Sequence, residues 1–309
     1  MKKIAMVFPG QGAQKVGMLS NLAQTYSLVE KTFAEASAVL GYDLWKLVQK
    51  GPSIQLNKTH HTQPALLTAS FSIFRIWKEK SKNMPMLLAG HSLGEYSALV
   101  CAGAINFHDA ITLVELRGKL MQEAVPEGTG AMQVIIGLDP LSIIQACQES
   151  SCDQIVSPVN YNSPDQVVIA GHKEAVERAS LACKRAGAKL TLPLPISVPS
   201  HCALMQSAAE KFSMALEKIN FHAPLFPVVN NVDVVIETAP HAIRNALIRQ
   251  LYHPVQWMNI IKFIQKQGVS SLLEIGPGQI LTRLSQYIQP ALTLTAVNDY
   301  NSLKKSLEL

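Results

Sequence analysis

The apolar and polar positions in the first part of the chain predict short buried strands separated by helices. Residues 3–8 form an apolar run that PGQG interrupts, and residues 86–89 form a second short apolar run, so both predict strands. Pro64 is expected in the first turn of a long helix and Asp109 near the cap of another. The predicted helices cover residues 19–40, 43–48, 63–80, 93–100 and 109–123.

A different order of elements follows: strand, helix, two strands, helix and strand. The strands are predicted over residues 131–138, 155–160, 166–170 and 189–194, and the helices over 140–149 and 173–186. This βαββαβ order is typical of a ferredoxin-like arrangement. We therefore predict a small subdomain over residues 127–196, inserted into a larger domain that residues 1–126 and 197–309 form.

The larger domain resumes after the insertion with the alternation seen at its start. Helices are predicted over residues 204–219, 242–251 and 255–267, and strands over residues 226–230, 272–275 and 292–297. Strands that alternate with helices predict a mainly parallel sheet with helices on both faces. The predicted fold class is therefore α/β.

The composition narrows the class of protein without indicating a reaction. Hydrophobic residues make up 48% of the 309 residues, which is enough for one large core and a smaller unit. The longest apolar runs are too short to span a bilayer, and the net charge of +5 comes without an arginine-rich run, so we predict neither a membrane protein nor a nucleic-acid-binding protein. Five cysteines without Cys-x-x-Cys spacing favour reduced thiols in a cytoplasmic protein.

Ser92 is the best candidate for a nucleophile. It lies between Gly90 and Gly94, after a predicted strand and before a predicted helix, which is the context that the G-x-S-x-G nucleophile elbow requires. The glycines permit a tight turn, and the N–H groups at the start of the following helix lie near the hydroxyl. A Gly-Ser turn that only caps the helix is the alternative.

A serine hydroxyl is a poor nucleophile without a base, and His201 is the best candidate among nine histidines. It lies in a loop-like segment at the start of the helix that resumes the larger domain. His91 is next to the nucleophile, but adjacent side chains in an elbow face different ways, so we assign it a structural role. A helix-start histidine without a catalytic role is the alternative for His201.

Seven short blocks stand out along the chain. They are FPGQGAQ at residues 8–14, TQPAL at 62–66, GHSLGEY at 90–96, RG at 117–118 with MQ at 121–122, VPSH at 198–201, Gln250, and EIGPG at 274–278. In these blocks and their order the chain resembles the malonyl-CoA:acyl carrier protein transacylases of fatty acid synthesis, over essentially its whole length. The resemblance implies a large hydrolase-like α/β domain with an inserted ferredoxin-like subdomain, which agrees with the pattern of elements.

The resemblance also implies catalytic roles. Ser92 and His201 would form the catalytic pair, with the main-chain carbonyl of Gln250 behind the histidine in place of a triad aspartate. The N–H groups of Gln11 and Leu93 would form the oxyanion hole.

Arg117 is the residue through which the resemblance indicates a substrate. A guanidinium can bind a carboxylate through two parallel hydrogen bonds, so Arg117 would hold the free carboxylate of a malonyl group. Without the family blocks, a surface arginine paired with an acid is the default interpretation. Further candidate substrate contacts, for which a turn or capping role is the main alternative, are Gln63, Met121, Asn160, Asn162 and Ser200.

The implied reaction moves the malonyl group of malonyl-CoA to the phosphopantetheine thiol of acyl carrier protein, through an ester on Ser92 and with ping-pong kinetics. It implies no bound cofactor and no metal. The implied partner is an acidic carrier protein that a monomeric enzyme binds transiently. Three alternatives stay open: a stand-alone polyketide-type acyltransferase, an α/β-hydrolase-type thioesterase and a non-catalytic binding protein.

Overall fold

A computed structural model of the protein describes residues 3–195 and 198–309. These residues form two sheets and the helices that cover them. The strands are β1 (Ile4–Phe8), β2 (Leu87–Gly90), β3 (Gly130–Ile136), β4 (Val156–Ser163), β5 (Gln166–His172), β6 (Leu190–Pro193), β7 (Val228–Val229), β8 (Ser271–Ile275) and β9 (Thr293–Val297).

The helices fall into three stretches along the chain, two in the larger unit and one in the smaller. Those before β3 are α1 (Ser20–Thr25), α2 (Leu28–Leu40), α3 (Leu44–Lys50), α4 (Ser53–Leu56), α5 (Thr59–Lys80), α6 (Gly94–Cys101) and α7 (Phe107–Glu123). Those between β3 and β6 are α8 (Pro140–Ser151) and α9 (Lys173–Arg185). Those after β6 are α10 (Gln206–Leu216), α11 (Pro240–Gln250), α12 (Trp257–Lys266), α13 (Ile280–Ile288) and α14 (Tyr300–Leu307), with a 3-10 turn at Ala203–Met205.

The larger sheet is parallel and has the strand order β7-β2-β1-β8-β9. Its central strand β1 is buried along its whole length. Successive side chains of a strand point to opposite faces, so Met6 and Phe8 pack into a cluster with residues of α2, α5 and α7, while Ala5 and Val7 pack with residues of α12 and α13. The predicted α/β fold with a mainly parallel sheet covered on both faces is confirmed.

The smaller sheet is antiparallel, with the order β4-β5-β3-β6. Its connectivity is strand, helix, two strands, helix and strand, which confirms the predicted ferredoxin-like order. One face packs on α8 and α9 through Ile135, Val167 and Ile169. The opposite face presents Val134 and Val168 to a cleft, so the small sheet forms one wall of that cleft.

Several predicted boundaries were wrong because long-range contacts decide them. The stretch predicted as one helix over residues 19–40 is two helices, separated at Tyr26, whose extended backbone lets its ring stack on Tyr300 of α14. Helix α5 begins at Thr59 rather than near Pro64, because the side chains of His61 and Thr62 bond the main-chain oxygens of Gln55 and Leu56 and hold an earlier turn.

Other differences are local. Helix α7 begins at Phe107 rather than at residue 109, and the Asn106 Oδ1 caps it by accepting a hydrogen bond from the Asp109 N–H at 2.8 Å, so Asp109 does lie near the cap. Strands β4 and β5 form a tighter hairpin than predicted, with Ser163 paired to Gln166. The predicted boundary between residues 196 and 197 lies outside the described residues, so the domain limits stay a prediction. Within residues 3–195 and 198–309, no helix has both the length and the hydropathy that crossing a bilayer requires.

Candidate active site

Ser92 lies in a sharp turn between β2 and α6. Its φ of 51° is in the left-handed region, which is strained for a residue with a side chain. The two flanking glycines are required by close packing: a Cβ on Gly90 would collide with the main chain of Gly94, and one on Gly94 with the carbonyl of Phe8. The structure therefore has the geometry of a nucleophile elbow, with the hydroxyl at the carboxyl end of the parallel sheet.

His201 stands in hydrogen-bond contact with this serine. Its Nε2 lies 2.8 Å from the Ser92 Oγ, and its Nδ1 lies 2.6 Å from the main-chain oxygen of Gln250. A carbonyl oxygen can only accept, so Nδ1 carries the proton and Nε2 is free to accept one from the hydroxyl. A carbonyl thus occupies the position that a carboxylate has in a Ser-His-Asp triad.

The electrostatic surroundings keep His201 neutral. Burial and then the positive charge of Arg117 lower the pKa of His201 to about 3, against a smaller opposing effect of its hydrogen bond to Gln250. A neutral imidazole is the form that can take a proton. His201 is therefore neutral throughout the neutral pH range, which is the protonation state that a base requires.

Arg117 projects from α7 into the same centre and is only 1% exposed. Its Nη1 donates to the Gln63 Oε1 at 2.9 Å, and its Nη2 donates to the Gln250 Oε1 at 3.0 Å and to the Ser92 Oγ at 3.3 Å. Its Nε has no partner among the described residues. The guanidinium also lies 5.4 Å from the ring centroid of Tyr96, so a buried positive charge is held directly beside the nucleophile.

The two N–H groups predicted for the oxyanion hole are unoccupied in the described part of the chain. Neither the N–H of Gln11 nor that of Leu93 donates to a protein acceptor there, and Gln11 also lines the cleft. The N–H of Ser92 itself is taken by the Asn231 Oδ1 at 2.7 Å. Of the main-chain donors at residues 92 and 93, the one at Leu93 is therefore the one left for a ligand.

A cleft of about 530 Å³ runs between the two sheets beside this centre. Asn160 and Asn162 line it from β4, as do Gly10 and Gln11 from the loop after β1. The Oδ1 of Asn160 is buried without a partner among the described residues.

The remaining predicted contacts are placed differently. The Asn162 Oδ1 bonds the His91 Nε2 at 2.9 Å, which ties the small sheet to the elbow. Met121 lies deeper, with its Sδ 3.7 Å from the Gln63 Nε2. The Ser200 hydroxyl bonds the main-chain oxygen of Val198 within its own turn.

Sequence reasoning missed two residues of this centre, Asn231 and Glu95. The Asn231 side chain accepts from the Ser92 N–H and donates to the Gly90 oxygen, which holds the elbow on both sides of the nucleophile. The Glu95 Oε2 accepts from the Gln250 Nε2 at 2.7 Å and from the Asn231 N–H at 3.0 Å. Glu95 belongs to the GHSLGEY block and could have been noticed there, whereas Asn231 lies in none of the seven blocks.

Comparison with known proteins agrees with this geometry. The family model for the acyl transferase domain matches residues 5–303. The malonyl CoA-acyl carrier protein transacylase of Salmonella typhimurium is 64% identical, with 99% of each chain covered. That of Escherichia coli K12 is 62% identical over the whole of both chains.

Solved structures agree in fold over the same extent. A malonyl-transacylase in complex with a type II PKS acyl-carrier protein is 65% identical, with a TM-score of 0.99 and 99% of each chain covered. An acyl carrier protein S-malonyltransferase from Vibrio cholerae is 59% identical, with a TM-score of 0.97 over 99% of this chain and 100% of that one. The family predicted from the seven blocks is thereby confirmed. The chain belongs to the malonyl CoA-acyl carrier protein transacylase family of acyl transferases.

Proposed function

We propose that the protein transfers the malonyl group of malonyl-CoA to the phosphopantetheine thiol of an acyl carrier protein, through an ester on Ser92. One observation carries the proposal: the hydroxyl that His201 can deprotonate also lies 3.3 Å from a buried guanidinium nitrogen of Arg117. Nucleophile, base and carboxylate receptor thus meet at one oxygen. Family membership supports the same reaction.

In the first half-reaction the Ser92 oxygen attacks the thioester carbon while its proton passes to the His201 Nε2. Negative charge develops on the thioester oxygen, and the N–H groups of Gln11 and Leu93 would donate hydrogen bonds to it; removal of one such donor typically lowers the rate by about 10²–10³-fold. The C–S bond then breaks, and the proton on His201 goes to the departing coenzyme A sulfur. The enzyme now carries malonyl-Ser92.

The second half-reaction runs the same steps in reverse. His201 takes the proton of the carrier's phosphopantetheine thiol, the sulfur attacks the ester carbon, and the proton returns to the Ser92 oxygen. One acyl group enters and leaves, and one thiol replaces another, so atoms and charge balance without a further reactant. We therefore propose that no cofactor or metal takes part, and that a chelator leaves the rate unchanged.

Arg117 supplies the preference for malonyl. Its two Nη atoms already bond neutral oxygens of Gln63 and Gln250, and a carboxylate is a stronger acceptor than either amide. Hydrogen bonds to charged groups contribute about 1.5–3 kcal/mol, which corresponds to roughly 10–200-fold. We propose this factor as the discrimination between malonyl and acetyl groups.

The acceptor protein and the cell compartment are further parts of the proposed function. One similar structure holds a type II PKS acyl-carrier protein, which supports a carrier protein as the acceptor. We propose an acidic carrier of fatty acid synthesis, bound transiently by a monomeric enzyme in the cytoplasm, where the five free cysteines stay reduced. The same chemistry serves a polyketide carrier, so paired transfer assays with both carriers distinguish the two pathways.

Labelling with malonyl-CoA tests the proposal. Without a carrier, radiolabelled malonyl-CoA should leave one label per chain on Ser92, and addition of holo carrier protein should remove it. The apo carrier, which lacks phosphopantetheine, is the matched control and should leave the label in place. Ser92→Ala should take up none. Full labelling of Ser92→Ala at another residue would contradict the ester intermediate, and release of free malonate in place of transfer would indicate a thioesterase.

A further inference from the structure

Glu95 is a buried carboxylate in the active centre that takes no part in the proposed transfer of the acyl group. It projects from the first turn of α6 and is 3% exposed. Its Oε2 accepts two hydrogen bonds, one from the Gln250 Nε2 at 2.7 Å and one from the Asn231 N–H at 3.0 Å. Carboxylates are rarely buried without a partner of opposite charge, so the charge around Glu95 requires explanation.

The side-chain amide of Gln250 links Glu95 to Arg117. The amide nitrogen donates to the carboxylate at 2.7 Å, and the amide oxygen accepts from the Arg117 Nη2 at 3.0 Å. Arginine only donates and a carboxylate only accepts, so the orientation of the amide is fixed. Arg117 forms no ion pair in the described part of the chain, and Glu95, one amide away, stabilises the buried charge of Arg117 when its carboxyl group is ionised.

The same contacts reach the residues of the nucleophile and the base. Gln250 presents its main-chain oxygen to the His201 Nδ1, and its amide nitrogen donates to the main-chain oxygen of Ser92 at 3.0 Å. Asn231, whose N–H bonds Glu95, holds the Ser92 N–H with its own side chain. One carboxylate thus fixes the two residues that orient the nucleophile, the base and the carboxylate receptor.

We propose that Glu95 is a positioning residue for this centre, and that its negative charge sets how strongly Arg117 holds the free carboxylate of the acyl group. The inference rests on the proposed malonyl transfer. In the proposed complex, the carboxylate of a malonyl group bound to Arg117 and the carboxylate of Glu95, one amide away from the same guanidinium, would repel each other. Protonation of Glu95 relieves that repulsion and strengthens the binding of malonyl, whereas an acetyl group carries no charge and is unaffected.

The groups around Glu95 bring its pKa into the pH range in which the enzyme can be assayed. Burial raises the pKa of Glu95 to about 7, although the hydrogen bonds from Gln250 and Asn231 and the charge of Arg117 act in the opposite direction. Asp233 in the loop after β7 raises the pKa further and is itself paired with Arg249 at 2.6 Å.

Among the described elements packed on α6, α7 brings the charge of Arg117, and β7 carries only Val228 and Val229. Strands β1 and β2 carry no titratable residue. On α5 the side chain that reaches Arg117 is the neutral amide of Gln63. Arg117 and Asp233 are therefore the charges that set the titration of Glu95.

The affinity for the malonyl group should depend on whether Glu95 is protonated. Because a bound malonyl carboxylate disfavours the ionised form of Glu95, it binds best to the protonated form. Malonyl preference should therefore be highest below pH 7 and fall as the pH rises through about 7. By linkage, each unit by which malonyl raises the pKa of Glu95 gives a tenfold change in its affinity. We expect a decrease of about tenfold.

The experiment measures kcat/KM for malonyl-CoA and for acetyl-CoA from pH 5.5 to 8.5 and takes their ratio. The ionisations of His201 and of coenzyme A affect both substrates alike and cancel, and the malonyl carboxyl itself titrates near pH 4. In the wild type the ratio should fall about tenfold. In Glu95→Gln, where the amide oxygen can keep both hydrogen bonds, the ratio should stay at the acid value of the wild type at every pH.

A matched control separates this role from general loss of a buried carboxylate. Glu274 is 1% exposed and accepts from the N–H groups of Leu281 and Thr282, with a pKa raised mainly by burial. Glu274→Gln should keep the pH dependence of the wild-type ratio. If Glu274→Gln also flattens the ratio, the assignment to Glu95 is overturned.

The remaining outcomes are decisive as well. A ratio that is independent of pH in the wild type overturns the charge effect, even if Glu95→Gln does not fold. Glu95→Gln with the full wild-type pH dependence overturns it too. A wild-type protein that transfers acetyl but not malonyl groups contradicts the proposed function itself, which is a different failure from a flat ratio.

Discussion

The buried centre around Ser92 and the small sheet differ in how many hydrogen bonds hold their polar groups. In the buried centre, the side chains of Arg117, Gln250 and Asn231 each form two or more hydrogen bonds to neighbours. On the small sheet, the Asn160 Oδ1 has no partner in the described residues, and Asn162 reaches across to His91. The hydrogen-bonded centre is suited to chemistry, where fixed dipoles stabilise developing charge. The small sheet leaves a buried acceptor free for a ligand.

The largest effect should follow from loss of the base in the buried centre around Ser92. His201→Ala removes the proton acceptor of Ser92 and should lower kcat by at least about 10³-fold for malonyl and acetyl groups alike. Single-turnover acylation of Ser92 is the measurement. His253→Ala, at a half-exposed position after α11, is the matched control and should keep the wild-type rate. A His201→Ala protein with more than about a tenth of the wild-type rate would contradict the role of His201 as base.

Loss of the guanidinium should act on one substrate more than on another. Arg117→Ala should lower kcat/KM for malonyl-CoA by roughly 10–200-fold beyond any loss for acetyl-CoA, because only the malonyl group has a carboxylate to bind. Arg117→Lys keeps the charge without the planar pair of donors. Its ratio of kcat/KM for malonyl-CoA to that for acetyl-CoA should therefore lie between the ratios of the wild type and Arg117→Ala. Equal losses for malonyl and acetyl in Arg117→Ala would refute carboxylate recognition.

The smallest effect is expected on the small sheet. Asn160→Ala removes an unpaired buried acceptor and should raise KM for malonyl-CoA by less than about tenfold, the factor that corresponds to one neutral hydrogen bond. The kcat for acylation should stay near that of the wild type, since no reacting atom contacts this residue. A loss of kcat/KM for malonyl-CoA as large as that of Arg117→Ala would remove the distinction between the buried centre around Ser92 and the small sheet.

The sequence revealed the elements with local signals and missed those that tertiary contacts determine. The elbow was predictable because the glycines, the strand before it and the helix after it are adjacent in sequence. The break at Tyr26 was not, because it depends on a ring stacked from Tyr300, far along the chain. Likewise the start of α5 depends on side-chain bonds to the segment before it.

The residues of the active centre likewise fall into those that the sequence indicated and those whose contacts only the fold creates. Ser92, His201 and Arg117 follow from family blocks, and their placement at one oxygen is a property of the fold. Asn231 acts on the elbow from a distance of 139 positions along the chain, so no local pattern could indicate it. Glu95 was present in a quoted block, yet its contact with Gln250 appears only when α6 and α11 are brought together.

The most direct test of the account is the structure of the acyl-enzyme after brief exposure of the protein to malonyl-CoA without a carrier. The account predicts an ester on the Ser92 Oγ, an ester oxygen within hydrogen-bond distance of the N–H groups of Gln11 and Leu93, and a carboxylate paired with the guanidinium of Arg117. An ester on another residue, or a malonyl carboxylate directed away from Arg117 toward the small sheet, would contradict it.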